Sequence, residues 1–564
     1  MTFSEYHYER PDMIKFKKAF LALLKKFEQA SSKVEQNERM KEIVQLRTEF
    51  ESMMTICSIR HSIDTTDSFY KQEKDFFDEQ APVYEGYVNQ FYRKLLQSKH
   101  RFYLEEEWGS QLFRIAMLSL NTYSEEIMQE MKEENKLTTQ YSKLIASAKI
   151  EFDGKQRTLA QLSPFIQSKN RKTRKRASEA KYHFYAEHEE EFDLLYDQLV
   201  KVRSRMAHNL GYSNFIQLGY DRLLRVDYGE CEVQKFREQV LKHIVPISQR
   251  LFERQRRRIG TPTLTYYDLP FNFKSGNPTP KGDPEWIIRN GKRMYAELSA
   301  ETNEFFQYMN DNELMDLVNK QGKRSGGYCT YISKYKSPFI FSNFVGTSHD
   351  IDVLTHEAGH AFQVYSSRHL TIPEYAFPTH EAAEIHSMSM EFFTWPWMRL
   401  FFEEEAPKYW FSHLSGALTF IPYAAAVDEF QHFVYQNPEI SPAERKRAWR
   451  KIERKYLPHR DYEDNDFLER GCFWYQQGHI FRTPFYYIDY ALAQICAMQF
   501  WCKAYDDWEH AWSEYLYLCR QGGRMSFTEL LKGARLNSPF EEDCVQSVVA
   551  PIVEWLEEID DAAL

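Results

Sequence analysis

Near the N-terminus, apolar residues fall at Phe16, Phe20, Leu23, Leu24 and Phe27 with lysines between them. That spacing of three and four predicts a helix with one buried stripe, and most of residues 10–250 is patterned in the same way. One interruption is KIEFDGKQRTL, Lys149–Leu159, where Asp153-Gly154 between short apolar-polar alternations predicts a β-hairpin. A stronger boundary lies at Gly260–Pro284, where eight of 25 residues are Gly or Pro. There Asp283-Pro284-Glu285 offers an N-cap, an N1 proline and an acidic first turn, so a new helix should start. The stretch GGYCTYISKYKSPFIFSNFVGTS, Gly326–Ser348, is rich in aromatic and β-branched residues and predicts two strands broken at Ser337-Pro338. After Asp350 the period is helical almost to the end, with Asp428–Tyr435, Asp461–Glu469 and Tyr486–Trp508 as further pieces. The pattern predicts a mainly α protein with a small sheet beside the helix that follows the strands.

At 564 residues the chain is too long for one ordinary core and long enough to bury a deep site. No apolar run approaches the roughly 18 residues that would span a bilayer, and MTFSEYHYER lacks the basic and apolar regions of an export signal. A cytoplasmic protein without membrane partners is expected. The eight cysteines are scattered singly with no CxxC pair, which fits reduced thiols better than a disulfide framework. The balance of 72 basic against 82 acidic residues gives −10 and argues against a nucleic-acid partner. One basic run, Lys169–Arg176, is read as a solvated helix face countered by Glu187–Asp193.

Chemistry concentrates at LTHEAGHAF, Leu354–Phe362. His356 and His360 are four apart, so both imidazoles can face one ion from the same side of a helix, with Glu357 beside them. Chance would supply such a string only about 0.08 times in a chain of this composition, even with every acidic residue counted as Glu. Catalytic zinc takes three protein ligands, so a third is required. A histidine six residues beyond His360 would serve, but that position is Ser366. The helical stretch PTHEAAEIHSMSMEFFTW, Pro378–Trp395, supplies the alternative. Glu384 is the expected ligand, with His380 and Glu391 on its face as hydrogen-bonding neighbours; Glu381 is the fallback. The apolar neighbours Ala382, Ala383, Ile385, Met388, Met390 and Phe392 would bury these carboxylates, which a divalent cation would stabilise. Gly359 between the histidines is read as close helix packing or space for substrate.

HEAGH, with Glu384 opening EIHSMSME, resembles the M3 metallopeptidases, the group of thimet oligopeptidase and oligoendopeptidase F, and most of all its Pz-peptidase-like bacterial members. MAHNLGYSNF (Met206–Phe215), RSGGYC (Arg324–Cys329) and GHIFRTPFYYIDYALAQ (Gly478–Gln494) are similar to family blocks in the expected order. The resemblance implies a two-lobed, prolate, mainly helical enzyme with one zinc per chain at the bottom of a deep central channel. Residues 1–200 would form a helical lobe over the cleft and 201–564 the zinc-binding region. By position His479, Tyr487 and Tyr490 look like the family's substrate and oxyanion residues, with Tyr486 adjacent.

Zinc on two imidazoles and a carboxylate would activate water, and Glu357 would take the water's proton and deliver it to the leaving amine. An edge strand within Tyr328–Phe344 could add main-chain hydrogen bonds to an extended peptide. The expected activity is hydrolysis of internal bonds in oligopeptides of about 5–20 residues, the length suited to a closed channel at about 3.3 Å per extended residue. The alternatives are a dipeptidyl carboxypeptidase with the same zinc chemistry and a non-catalytic peptide-binding protein. Glu357 speaks against the latter, since binding alone needs no general base.

Overall fold

The computed structural model describes residues 1–320, 322–324 and 326–564; Ser325, inside the RSGGYC segment, lies outside the described residues. The first stripe forms α1 (Met13–Gln29), capped by Asp12, whose Oδ1 accepts from the Ile14 and Lys15 amides at 3.0 Å. Phe16, Phe20, Leu24 and Phe27 are buried, and Leu23 lies on the flank of the stripe. They pack on α2 (Lys33–Ile63) and α3 (Ser68–Leu96), where Phe50 meets the Phe16 ring at 5.0 Å and the Tyr84 ring at 4.5 Å. The predicted hairpin is present as β1 (Ile150–Phe152) and β2 (Lys155–Arg157), antiparallel, with Asp153 and Gly154 both at positive φ in the turn.

The basic run behaves differently from the expectation. Its residues begin α4 (Arg171–Glu187), but Arg171 and Arg174 converge on the fully buried Asp268 at 2.7 and 2.8 Å, and Lys175 reaches Glu463 at 2.9 Å. Glu189, on the expected countering segment, pairs instead with Lys446 and Arg470. The run therefore pins the Gly- and Pro-rich loop that crosses the molecule after residue 260. The short helix α5 (Phe215–Arg222) precedes that loop, and α6 (Pro284–Leu298) ends it, capped by Asp283 Oδ1 accepting from the Trp286 amide at 2.7 Å.

A second sheet has three strands rather than two: β3 (Met315–Val318), β4 (Tyr328–Ile332) and β5 (Ser337–Phe344), in the order β3-β5-β4. The chain reverses at Ser333–Lys336, just before Ser337-Pro338, with Lys336 in the left-handed region. β5 pairs antiparallel with β4 and parallel with β3, and the first β3 pair is Met315↔Ile340. Pro338 therefore sits in the central strand only where no β3 residue needs its missing amide. β4 is an edge strand, and beyond it lies a cleft of about 440 Å³ whose far wall is α2 and α3 through Thr55, Ser58, Phe77 and Asp78.

The sheet leads into α7 (Ser348–Ser367), followed by α8 (His380–Phe393), α9 (Ala406–Gln436) and α10 (Tyr487–Asp506). Asp428–Tyr435 is the C-terminal end of the 31-residue α9, whereas only Asp466–Glu469 of the expected helix Asp461–Glu469 is helical. Trp508 opens the next helix rather than closing α10. Between α7 and α8, Glu374 is bound by the buried Arg47 of α2 at 2.7 Å and by Tyr92 of α3, and the Tyr375 hydroxyl donates to the Trp108 carbonyl at 2.8 Å. The connection between these two helices is thus bolted to the N-terminal helices. Among the described residues all eight cysteines are free and no helix is long and apolar enough to cross a membrane.

Removing one partner of a buried ion pair costs about 3–5 kcal/mol because the other charge is left without compensation. Asp268→Ala, which strands Arg174, is therefore expected to lower the thermal unfolding midpoint clearly. Lys172→Ala, on the exposed side of the same run, should leave the midpoint unchanged, and equal effects in a melting assay would contradict this account.

Candidate metal centre

α8 is almost entirely buried from Glu381 to Met390, although it carries Glu381, Glu384, His386 and Glu391. α7 crosses it closely at Gly359, where a Cβ would lie 2.6 Å from both the His386 carbonyl oxygen and the Ser387 Cα. Of the two readings of Gly359, close helix packing is the one the geometry supports. This approach brings His356, His360 and Glu384 together, with one donor atom of each within 4.8 Å of the others. Glu384 Oε2 is 3.2 Å from His356 Nε2 and 3.4 Å from His360 Nε2. Burial works to raise the Glu384 carboxyl, but the two imidazoles hold it well below the usual carboxylate range. Two imidazole nitrogens and one carboxylate oxygen aimed at a common point fit a zinc ion in number and type.

Around these three, other groups fix orientation. His356 Nδ1 faces Glu391 Oε1 at 2.7 Å, and Glu391 Oε2 faces His413 Nε2 at 2.8 Å. The Trp395 indole can only donate, and it donates to His413 Nδ1 at 3.2 Å. His413 therefore carries its proton on Nε2, toward Glu391. Burial would raise the Glu391 carboxyl, but its bonds to His356 and His413 hold it down at about 2. With a carboxylate on Nδ1, His356 presents the lone pair of Nε2 to the centre. His380, expected beside Glu384, instead lays its ring 4.4 Å from that of Tyr486.

Glu357, next to His356 on α7, is buried, and its Oε2 has no hydrogen-bond partner. Its Oε1 lies 3.4 Å from the place a Cβ would take on Gly327, immediately before β4, so the carboxylate looks toward the edge strand. Burial raises its pKa above the ordinary value, against the opposing charges of His356 and His360. Glu381, the fallback ligand, points elsewhere: both its oxygens are buried without hydrogen-bond partners, and its nearest opposite charge is Arg225.

The start of α10 forms another wall. Tyr486 donates to Glu384 Oε1 at 2.7 Å and Tyr490 donates to the Tyr486 hydroxyl at 3.1 Å. Tyr486 thus touches the Glu384 carboxylate directly, whereas the family resemblance pointed to Tyr487 and Tyr490. The Tyr487 ring lies between those of His479, Phe420 and Tyr423 at 5.0–5.7 Å. His479 packs on all three tyrosines and is pushed down to about 4 by burial, which keeps it neutral. Gln477 accepts from the Tyr423 hydroxyl at 3.0 Å and its amide nitrogen lies 2.8 Å from His479 Nδ1. His479 Nδ1 accepts that bond, so the ring's proton is on Nε2.

Comparison with known proteins identifies the family. Residues 3–123 match the Peptidase M3 N-terminal domain and residues 299–549 match Peptidase family M3. The structure of Pz peptidase A with an inhibitor is 63% identical over the whole of both chains, with a TM-score of 0.96. A Bacillus anthracis structure described as an oligoendopeptidase F is 56% identical, covers 100% of this chain and 99% of that one, and has a TM-score of 0.92. Oligopeptidase PepF of Bacillus subtilis is 21% identical over 413 residues, which are 69% of this chain and 58% of that relative's own length. The match therefore spans less than two thirds of that curated relative.

The crossing at Gly359 is the contact on which the ligand set depends, since a side chain there meets backbone that cannot move aside alone. Overpacking of this kind costs on the order of 1–3 kcal/mol. Gly359→Ala is expected to melt earlier and to bind metal more weakly. At Gly416, exposed within α9 with nothing within 4 Å of a new Cβ, the same change should be neutral or stabilising by up to about 1 kcal/mol. Calorimetry and metal titration of the two variants test the contrast.

Proposed function

The chain belongs to peptidase family M3, and from that premise we propose that it is a zinc-dependent endopeptidase of short peptides. The observation that carries the reading is the convergence of His356, His360 and Glu384 beside a buried Glu357 with an unpartnered oxygen. A zinc ion held by the first three would supply Lewis acidity toward water and the scissile carbonyl. The remaining work falls to the chain's own groups.

Glu357 accepts the proton of the attacking water at Oε2, which no other group occupies, and passes it to the departing amine. Its burial favours this shuttle, because a carboxylate whose pKa is raised is a stronger base. The edge strand β4 offers main-chain donors and acceptors to a peptide lying in the cleft, which presents the scissile carbonyl toward Glu357. His479, neutral with its proton on Nε2, and the hydroxyls of Tyr490 and Tyr487 are the donors proposed for the developing oxyanion; each such donor is worth about 3 kcal/mol in a dry site. Tyr486 holds the second oxygen of Glu384. Residues 1–200 act as the covering lobe, a role supported by α2 and α3 forming the far wall of the cleft. A covered cleft admits flexible chains, so the proposed substrates are oligopeptides of about 5–20 residues, threaded in extended form.

Three measurements test this. Glu384→Ala should lose the metal while Glu381→Ala keeps it; the opposite result in a metal assay would move the third ligand to Glu381. Glu357→Gln should keep one zinc and lose about 10²–10⁴-fold in rate on an end-blocked peptide, and chelation of the wild type should abolish cleavage until zinc is restored. Tyr490→Phe and Tyr487→Phe should lower kcat more than they raise KM, since an oxyanion donor acts in the transition state and not on bound substrate. An effect confined to KM would make that tyrosine a substrate-binding group instead.

A further inference from the structure

The MAHNLGYSNF block and the residues after it contribute no group to the centre described above, yet they lie against the turn that launches α10. That turn contains Phe485, fully buried and in the left-handed region at φ 67°, a conformation that non-glycine residues adopt only when held there. Three contacts hold it. Gln431 Oε1 accepts from the Phe485 amide at 3.0 Å, and Arg225 Nη2 donates to the Phe485 carbonyl at 2.7 Å. The ring fills the space left by Gly219 in α5, where a Cβ would lie 2.7 Å from Phe485 Cδ2. Arg225 also pairs with Asp489 in the first turn of α10, and both side chains are fully buried. The residue after this turn is Tyr486, whose hydroxyl reaches Glu384 and accepts from Tyr490.

We infer that Arg225 is a positioning residue for the tyrosine wall: by holding the Phe485 carbonyl and Asp489 with one guanidinium, it fixes where Tyr486 and Tyr490 stand relative to Glu384. Arg225 touches neither substrate nor metal ligands and acts through the turn. Both bonds come from one nitrogen, Nη2, and the ammonium of lysine, one bond shorter in reach, cannot be brought to the same place. The bland alternative is that Arg225 merely offsets the buried charges of Asp489 and Glu381. The two accounts differ at Gly219, since a methyl group there displaces the Phe485 ring and changes no charge.

The inference rests on the proposed role of the tyrosine wall, so the test begins with Tyr486→Phe in the zinc-loaded enzyme. Its kcat on a blocked peptide should fall; if it does not, the reading of Tyr486 fails and this inference with it. Arg225→Lys and Gly219→Ala should each then lower kcat by about 10–100-fold with little change in KM, the range expected when a reacting group is misplaced by about 1 Å. Combined with Tyr486→Phe, either change should add little, because the group it misplaces has already been disarmed. No loss from Arg225→Lys, no loss from Gly219→Ala, or full additivity with Tyr486→Phe would show that Arg225 only balances charge and would overturn the inference. Should Arg225→Lys fail to fold, Gly219→Ala and its combination with Tyr486→Phe decide alone.

Discussion

The structure is organised around a cost: α8 carries Glu381, Glu384, His386 and Glu391 into a position buried on every side. Taking a carboxylate out of water costs several kcal/mol even after relaxation, so each of these groups needs compensation. Glu384 has two imidazoles and a tyrosine hydroxyl, and Glu391 has the far nitrogen of His356 and one further imidazole, His413. His386 needs least, since burial lowers it to about 4 and leaves it neutral. Glu381 is the exception: with no hydrogen bond to its carboxylate, burial raises it to about 7 against the pull of Arg225. Glu381 therefore holds its proton more readily than Glu384, whose carboxylate is kept ionised by the two imidazoles.

From that cost follow the features that place the centre. The imidazoles must come within hydrogen-bonding distance of Glu384, so α7 must approach α8 backbone to backbone, and Gly359 permits this. The connection between the two helices is in turn held by Arg47 and Tyr92 from the N-terminal helices. The N-terminal helices therefore do two things: they wall the cleft opposite β4 and they anchor the segment joining the helices that bear the ligands.

Much of this was legible from local signals. The HEAGH spacing, the capping residue Asp283, the Asp153-Gly154 turn and the apolar context of Glu384 each act within a few residues, and sequence displays such patterns directly. What escaped was long-range. β3 is four residues with an acidic member and owes its strand state to pairing with β5. The basic run has the composition of a solvated face, and only the fold reveals that Asp268, some 95 residues away, collects two of its arginines. Tyr486 was legible only as the neighbour of Tyr487 and Tyr490: it precedes the helix, and its direction follows from the left-handed Phe485, whose holding contacts come from residues 219, 225 and 431. In each case the deciding partner is distant in sequence, and no periodicity encodes it.

His356 and His479 show how such distant partners assign chemistry to one residue type. His356 has a carboxylate on Nδ1, so that nitrogen carries the proton and Nε2 is left with a lone pair, the form a metal requires. His479 has an amide donor on Nδ1, itself oriented by the Tyr423 hydroxyl, so the proton is on Nε2, the form that can donate to an oxyanion. The first relay ends in Trp395, which can only donate to His413, and in the second the Gln477 amide turns its oxygen to the Tyr423 hydroxyl and its nitrogen to His479. Tautomers assigned in this way persist across the pH range in which His479, with its depressed pKa, stays unprotonated. The two imidazoles are thus held in opposite tautomers by hydrogen bonds on their far sides, an order that is built into the fold itself.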